Sequence, residues 1–114
     1  MDKSEYKDIY VFAEQRNGLI QSIALELLGK ARDLAKAANH NVVAVLAGHQ
    51  IADKAAELIS WGADKVIVID NAALADYLTE PYTQAIAGVI NKYKPAIFLI
   101  GATTMGRDLG PRLS

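Results

Sequence analysis

The sequence predicts an α/β domain, doubly wound, with a mostly parallel sheet carrying helices on both faces. Short runs of β-branched and aromatic residues alternate with longer stretches of helical periodicity, the pattern of parallel strands joined by right-handed crossovers. The strand-like runs are apolar at consecutive positions, so both of their faces need cover. With 52% hydrophobic and 22% charged residues, the 114-residue chain encloses one modest core, and residues 1–114 form a single folding unit.

Residues 8–13, Asp8-Ile9-Tyr10-Val11-Phe12-Ala13, form the first expected strand. A polar turn, Glu14-Gln15-Arg16-Asn17-Gly18, leads into a long amphipathic helix. Its apolar stripe is Ile20, Ile23, Ala24, Leu27, Leu28, Ala31, Leu34, Ala35 and Ala38. Asn39-His40-Asn41 breaks that pattern, and residues 42–47 form a second strand ending at Gly48. A shorter helix follows with Ile51, Ala55, Leu58 and Ile59 on one side, closed by Gly62 in a left-handed cap after Trp61. Residues 65–70 are the third strand, and 71–78 form a loop with room for one helical turn. Thr79 caps the next helix, which turns Tyr82, Ile86, Val89, Ile90 and Tyr93 inward and stops before Pro95. Residues 95–101 supply the fourth strand, and a further helix begins in the tail. Because Pro111 is tolerated only in a first helical turn, an unkinked helix is expected to start near Arg107 or later.

Composition excludes several functions. Twelve Lys plus Arg against 13 Asp plus Glu leave a net charge of −1, so no overall field favours nucleic acid or an acidic membrane. Without cysteine there are no disulfides, thiolate metal sites or cysteine nucleophile. Met1-Asp2-Lys3-Ser4-Glu5 has the pattern of neither a signal nor a transit peptide, which makes the cytoplasm the default expectation. No apolar run approaches the roughly 20 residues of a spanning helix.

Ligands of such sheets approach the carboxyl ends of the strands, here the turns after Ala13, Ala47, Asp70 and Gly101. The 14–18 turn is either a ligand or partner contact or a solvated connection, and it lacks the Gly-x-Gly-x-x-Gly of a dinucleotide site. His40 and His49 fall at opposite ends of the second strand and cannot share a metal. Asp64, Asp70 and Asp76 do not converge, and Asp70 is expected to cap a turn. Ser4, Ser22, Ser60 and Ser114 lack a nucleophile elbow. No catalytic constellation is visible, and an enzyme built on Asp70 and Arg107 lacks a nucleophile and base.

The tail carries the most specific pattern. Gly101 and Gly106 have P-loop spacing, but Arg107 and Asp108 stand where Lys and Ser/Thr belong, which disfavours triphosphate chemistry. Gly101, Thr103, Thr104, Gly106, Arg107, Asp108 and Arg112 are therefore turn or subunit-contact candidates, with anion binding a third option. Asp108 suits a helix N-terminus and can pair with Arg112 one turn on.

Gly101-Ala102-Thr103-Thr104-Met105-Gly106-Arg107-Asp108-Leu109-Gly110-Pro111-Arg112 resembles the G-A-T-x-x-G-R-D-L-x-P-R segment of electron transfer flavoprotein alpha subunits. Val11-Phe12-Ala13-Glu14 and Gly62-Ala63-Asp64-Lys65-Val66 fall in the same family order. The resemblance implies an N-terminal domain of adenine nucleotide alpha hydrolase-like topology, truncated before a C-terminal domain that binds FAD. It implies a beta subunit partner carrying AMP or a second FAD, and flavin dehydrogenases as donors. This domain is then a non-catalytic scaffold with no cofactor-binding or metal residues of its own, and its uncovered apolar surface favours self-association. The alternative expectation is a free-standing adenine-nucleotide-binding module of universal-stress type.

Overall fold

The computed structural model describes residues 6–101 and 103–113, with the side chains of Thr104, Met105, Gly106 and Arg112 excepted. The Met1–Glu5 segment lies outside the described residues.

Four parallel strands form the sheet: β1 (Ile9–Phe12), β4 (Val42–Gly48), β5 (Lys65–Asp70) and β6 (Ile97–Leu99), in spatial order β5-β4-β1-β6. Ile9 lies opposite both Val42 and Ile97, and Val43 opposite Lys65. The central strands β1 and β4 are buried throughout, as their unbroken apolar runs require.

Alternate residues along these strands feed two cores. Ile9, Val11, Val42, Ala44 and Leu46 pack with Ala24, Leu28, Ala31 and Ala35 of α1 (Ser22–Ala38) and Leu58 of α2 (Ala55–Ser60). Tyr10, Phe12, Val43, Val45 and Ala47 pack with Tyr82, Ile86 and Val89 of α3 (Thr79–Tyr93) and Leu109 of α4 (Thr104–Leu113). Helices therefore cover both faces, and the doubly wound expectation holds.

Several boundaries differ from expectation. The polar 14–18 turn is a miniature antiparallel hairpin of β2 (Gln15–Arg16) and β3 (Leu19–Ile20). Asn17 and Gly18 connect it with φ of 53° and 81°, the doubly positive geometry that a tight two-residue hairpin demands. Ile20 thus belongs to β3, and α1 begins at Ser22. Leu34 and Ile59, assigned to apolar stripes, are exposed, and Tyr93 is partly so while its ring lies 6.4 Å from that of Tyr10. A 3-10 turn over Ala52–Lys54 precedes α2, and another over Ala72–Leu74 occupies the 71–78 loop. Gly62 has φ of 121° after α2, and the Ala63 N–H donates to the Leu58 carbonyl, closing the expected cap.

Two expectations about helix starts are overturned. Leu78, not Thr79, is the N-cap of α3, and the Thr79 hydroxyl is spent on another partner, Asp108. Helix α4 begins at Thr104, three residues before Arg107, and contains Pro111 in its interior. The Arg107 N–H already donates to the Thr103 carbonyl at 2.8 Å, while Leu109 is fully buried against α3 and the sheet. This tertiary anchoring overrides the one backbone hydrogen bond that proline removes.

Candidate functional site

In an open α/β sheet the ligand crevice lies where the chain leaves one side of the first strand for the other. Here β4 and β5 extend to one side of β1 and β6 lies on the other, so the crevice is bounded by the segments following β1 and β6.

Those two segments are tied together. Glu14 follows β1 and is only 3% exposed, and its Oε1 accepts a short hydrogen bond from the Thr103 hydroxyl, 89 residues away. Its other oxygen lies 3.9 Å from the Arg16 guanidinium, and its carbonyl accepts from the Gln21 N–H at 2.9 Å, docking the hairpin onto α1. A buried carboxylate therefore stands at the crevice, where any phosphate would meet a like charge. Gly101 shapes the same junction: a Cβ there would sit 2.6 Å from Ile23 Cγ1, so the segment after β6 passes α1 without room for a side chain at that position.

Gln15, the neighbouring buried polar residue, fastens the hairpin from below. Its Nε2 donates to the Ala47 carbonyl at 3.1 Å and lies 3.4 Å from the Tyr82 hydroxyl, while its Oε1 accepts from the Gly18 N–H at 2.9 Å. The Tyr82 hydroxyl donates to the Leu74 carbonyl at 2.8 Å. Burial pushes the Tyr82 phenol pKa up, the Gln15 hydrogen bond draws it down, and the Asp76 charge raises it further.

Asp108 makes a second clasp. Its Oδ2 accepts from Tyr77 Oη at 2.6 Å and from Thr79 Oγ1 at 2.8 Å, joining α4 to the start of α3. Between this clasp and the hairpin opens a cleft of about 560 Å³, lined by Gln15, Arg16, Asn17, Tyr77, Tyr82 and Asp108 with Ala75 and Asp76.

The predicted tail residues thus separate. Thr103 and Asp108 make the two long-range clasps, Gly101 is a close-packing point, and Arg107 is exposed. Thr104, Gly106 and Arg112 belong to the backbone of α4, and the Asp108–Arg112 pairing lies outside the described side chains. Tyr77 and Thr79 were missed as site residues, whereas Glu14 and Gln15 lie in the 14–18 turn expected to be either a ligand or partner contact or a solvated connection, and only their burial is unexpected. The Asn17-Gly18 pair was the one available signal of that burial, since a tight hairpin there presses the preceding side chains against the sheet.

The remaining candidates are local. Asp70 accepts from the Gln50 N–H at 2.7 Å and the Ile51 N–H at 3.0 Å, capping the turn after β4 as expected. Those backbone donors hold its carboxyl below the usual value, with a smaller contribution from nearby His49. His40 Nδ1 accepts from the Asp8 N–H at 3.2 Å, at the opposite end of β4 from His49. Among the described residues no group of His, Cys, Asp and Glu could hold a metal, and no helix is long and apolar enough to cross a membrane.

Fold and site define a doubly wound α/β domain whose crevice is bridged by its own side chains. A family profile described as the electron transfer flavoprotein domain matches residues 9–114, and the chain belongs to that family. It is 50% identical over 111 residues to the electron transfer flavoprotein subunit alpha of Thermoanaerobacterium thermosaccharolyticum, covering 97% of this chain and 34% of that protein. It is 46% identical over 114 residues to the alpha subunit of Clostridium acetobutylicum, covering 100% of this chain and 34% of that protein. Similarity extends to the lactate dehydrogenase (NAD(+),ferredoxin) subunit LctC of Acetobacterium woodii, 43% identical over 114 residues, covering 100% of this chain and 27% of that protein. The chain spans about a third of the length of these relatives.

Proposed function

We propose that this domain is the non-catalytic scaffold of an electron transfer flavoprotein alpha subunit, acting in the cytoplasm and seating a beta subunit. In this reading, electrons from flavin dehydrogenases pass through an FAD held by a different domain, and AMP or a second FAD belongs to the beta subunit. One observation carries it: the buried Glu14 carboxylate, bridged to Thr103, stands in the crevice that would otherwise receive a nucleotide's phosphates. The residues present do not suit a dinucleotide pyrophosphate, since the crevice offers a carboxylate and the first turn has no glycine fingerprint.

An absorbance scan of the purified chain tests the cofactor-free part, with no stoichiometric flavin band between the near-ultraviolet and blue expected. Copurification with the beta subunit tests the scaffold part. Micromolar affinity for adenine nucleotides in a calorimetric titration would instead support a free-standing nucleotide-binding module.

A further inference from the structure

The amino end of the sheet, opposite the crevice, carries a joint built on one residue. Asp8, immediately before β1, ties three segments together there. Its N–H donates to His40 Nδ1 at 3.2 Å, its Oδ1 accepts from the Asn41 N–H at 2.9 Å, and its carbonyl accepts from the Ala96 N–H at 3.0 Å. The turn between α1 and β4 is thereby fastened to the start of β1 and to the connection between α3 and β6. Asp8 has φ of 74°, a left-handed conformation that costs a residue with a side chain some free energy and persists where its neighbours hold it.

The first of these bonds depends on a proton. A backbone N–H can donate to Nδ1 only while that nitrogen carries no hydrogen, so the His40 ring in this joint is neutral and bears its hydrogen on Nε2. Protonation fills Nδ1 and leaves the Asp8 N–H facing another donor. The new N–H on the ring has a carboxylate oxygen in reach, Asp8 Oδ1 at 3.9 Å, but that oxygen already holds the Asn41 N–H. The ring cannot withdraw with its backbone, because the His40 N–H is fixed to the Ala35 carbonyl at 2.9 Å. The remaining bonds of the joint, from the Ile9 N–H to the Asn41 carbonyl at 2.9 Å and from the Lys7 N–H to the Lys94 carbonyl at 3.0 Å, run between backbone groups alone.

Charges of both signs surround the ring, and none replaces the lost acceptor. Arg32, Asp33 and Lys36 of α1 share with His40 the lining of a cavity of about 630 Å³, joined by Asp64 from the turn before β5. Arg32 and Lys36 can only donate, Asp33 is exposed on α1, and Asp64 Oδ2 accepts from the Val42 N–H at 2.8 Å. Lys7 and Lys94, whose backbones pair beside Asp8, add further donors.

We propose that His40 is a proton-operated latch at the amino end of the sheet: the neutral ring holds the Asp8 N–H, and protonation releases it, loosening the start of β1 from the α1–β4 turn while the sheet stays intact. The latch uses none of the crevice residues and stands apart from the scaffold reading.

Nitrogen–proton NMR of the isotope-labelled chain tests it at about pH 7.5 and about pH 5.5, on either side of the range in which histidine ordinarily titrates. Long-range ring spectra are expected to show His40 with its hydrogen on Nε2 at the higher pH and on both nitrogens at the lower. The Asp8 amide is expected to lose about tenfold in hydrogen-exchange protection on acidification, after correction for the intrinsic exchange rate. The Val42 amide, held by Asp64, is expected to keep its protection. A ring hydrogen on Nδ1 alone at the higher pH, or Asp8 protection equal at the two values, overturns the latch. An equal loss at Val42 also overturns it, since the event is then a general destabilisation. His40→Gln keeps a side-chain acceptor but no titratable ring, and its Asp8 amide is expected to be equally protected at both values. A His40→Gln chain that still loses Asp8 protection on acidification assigns the response to a carboxylate and overturns the latch.

Discussion

Removing the hydroxyl of Thr103 isolates the bridge across the crevice. Glu14 is 3% exposed, and its second partner, Arg16, lies 3.9 Å away with a side chain 57% exposed, so that ion pair is well screened and contributes little. The Thr103 hydroxyl thus supplies most of the compensation for burying the carboxylate. Thr103→Val keeps the shape and deletes the donor, at a cost of about 1.5–3 kcal/mol for a hydrogen bond to a charged group. Unfolding entropy of ~0.24 kcal/mol/K for a chain of this size converts that into a fall in melting temperature of about 6–12 °C. Glu14→Gln retains an oxygen for Thr103 and is expected to lose no more than about 1 kcal/mol. Circular dichroism at 222 nm during heating, with calorimetry to establish two-state unfolding, measures both variants. A Thr103→Val melt within about 1 °C of wild type would refute the assignment, as would a Glu14→Gln loss equal to that of Thr103→Val.

Three further outcomes are expected. Gln15→Leu leaves the Ala47 carbonyl and the Gly18 N–H without their side-chain partner and lowers stability by about 2–4 kcal/mol in urea titration. Gly101→Ala forces a methyl to within 2.6 Å of Ile23 and costs about 1–3 kcal/mol, part of which Ile23→Ala restores in the double variant. Asp70, whose folded pKa lies below the ordinary 3.8 because it accepts from backbone N–H groups, contributes stability above that value and loses it as pH falls through the depressed one. The urea midpoints of wild type and Asp70→Asn should accordingly converge below about pH 4.

Much of the fold was legible because its signals are local or periodic. The consecutive apolar residues of β1, β4 and β5 announced a sheet covered on both sides, and the α1 stripe announced one covering helix. Strand β6 contracted from the expected 95–101 to Ile97–Leu99, since only these three central residues pair with a neighbour, β1. The 15–20 hairpin was hidden because each arm is two residues long, too short for alternation to show. Burial of Glu14 and Gln15 was equally hidden, since nothing polar in a loop marks itself as interior until Thr103, Ala47 and Tyr82 close over it. Asp108 was expected to act within its own helix, whereas its hydroxyl partners lie 31 and 29 residues earlier in the chain.

The Asn17-Gly18 hairpin also governs how this surface ages. Asparagine followed by glycine is the dipeptide most prone to spontaneous deamidation, in which the glycine nitrogen attacks the asparagine amide carbon and expels ammonia. Asn17 is exposed, but the Gly18 nitrogen donates its proton to Gln15 Oε1 and is held within a tight turn. The clasp that seats the hairpin therefore slows the ring closure, and any loosening of Gln15 brings a new negative charge to the rim of the cleft.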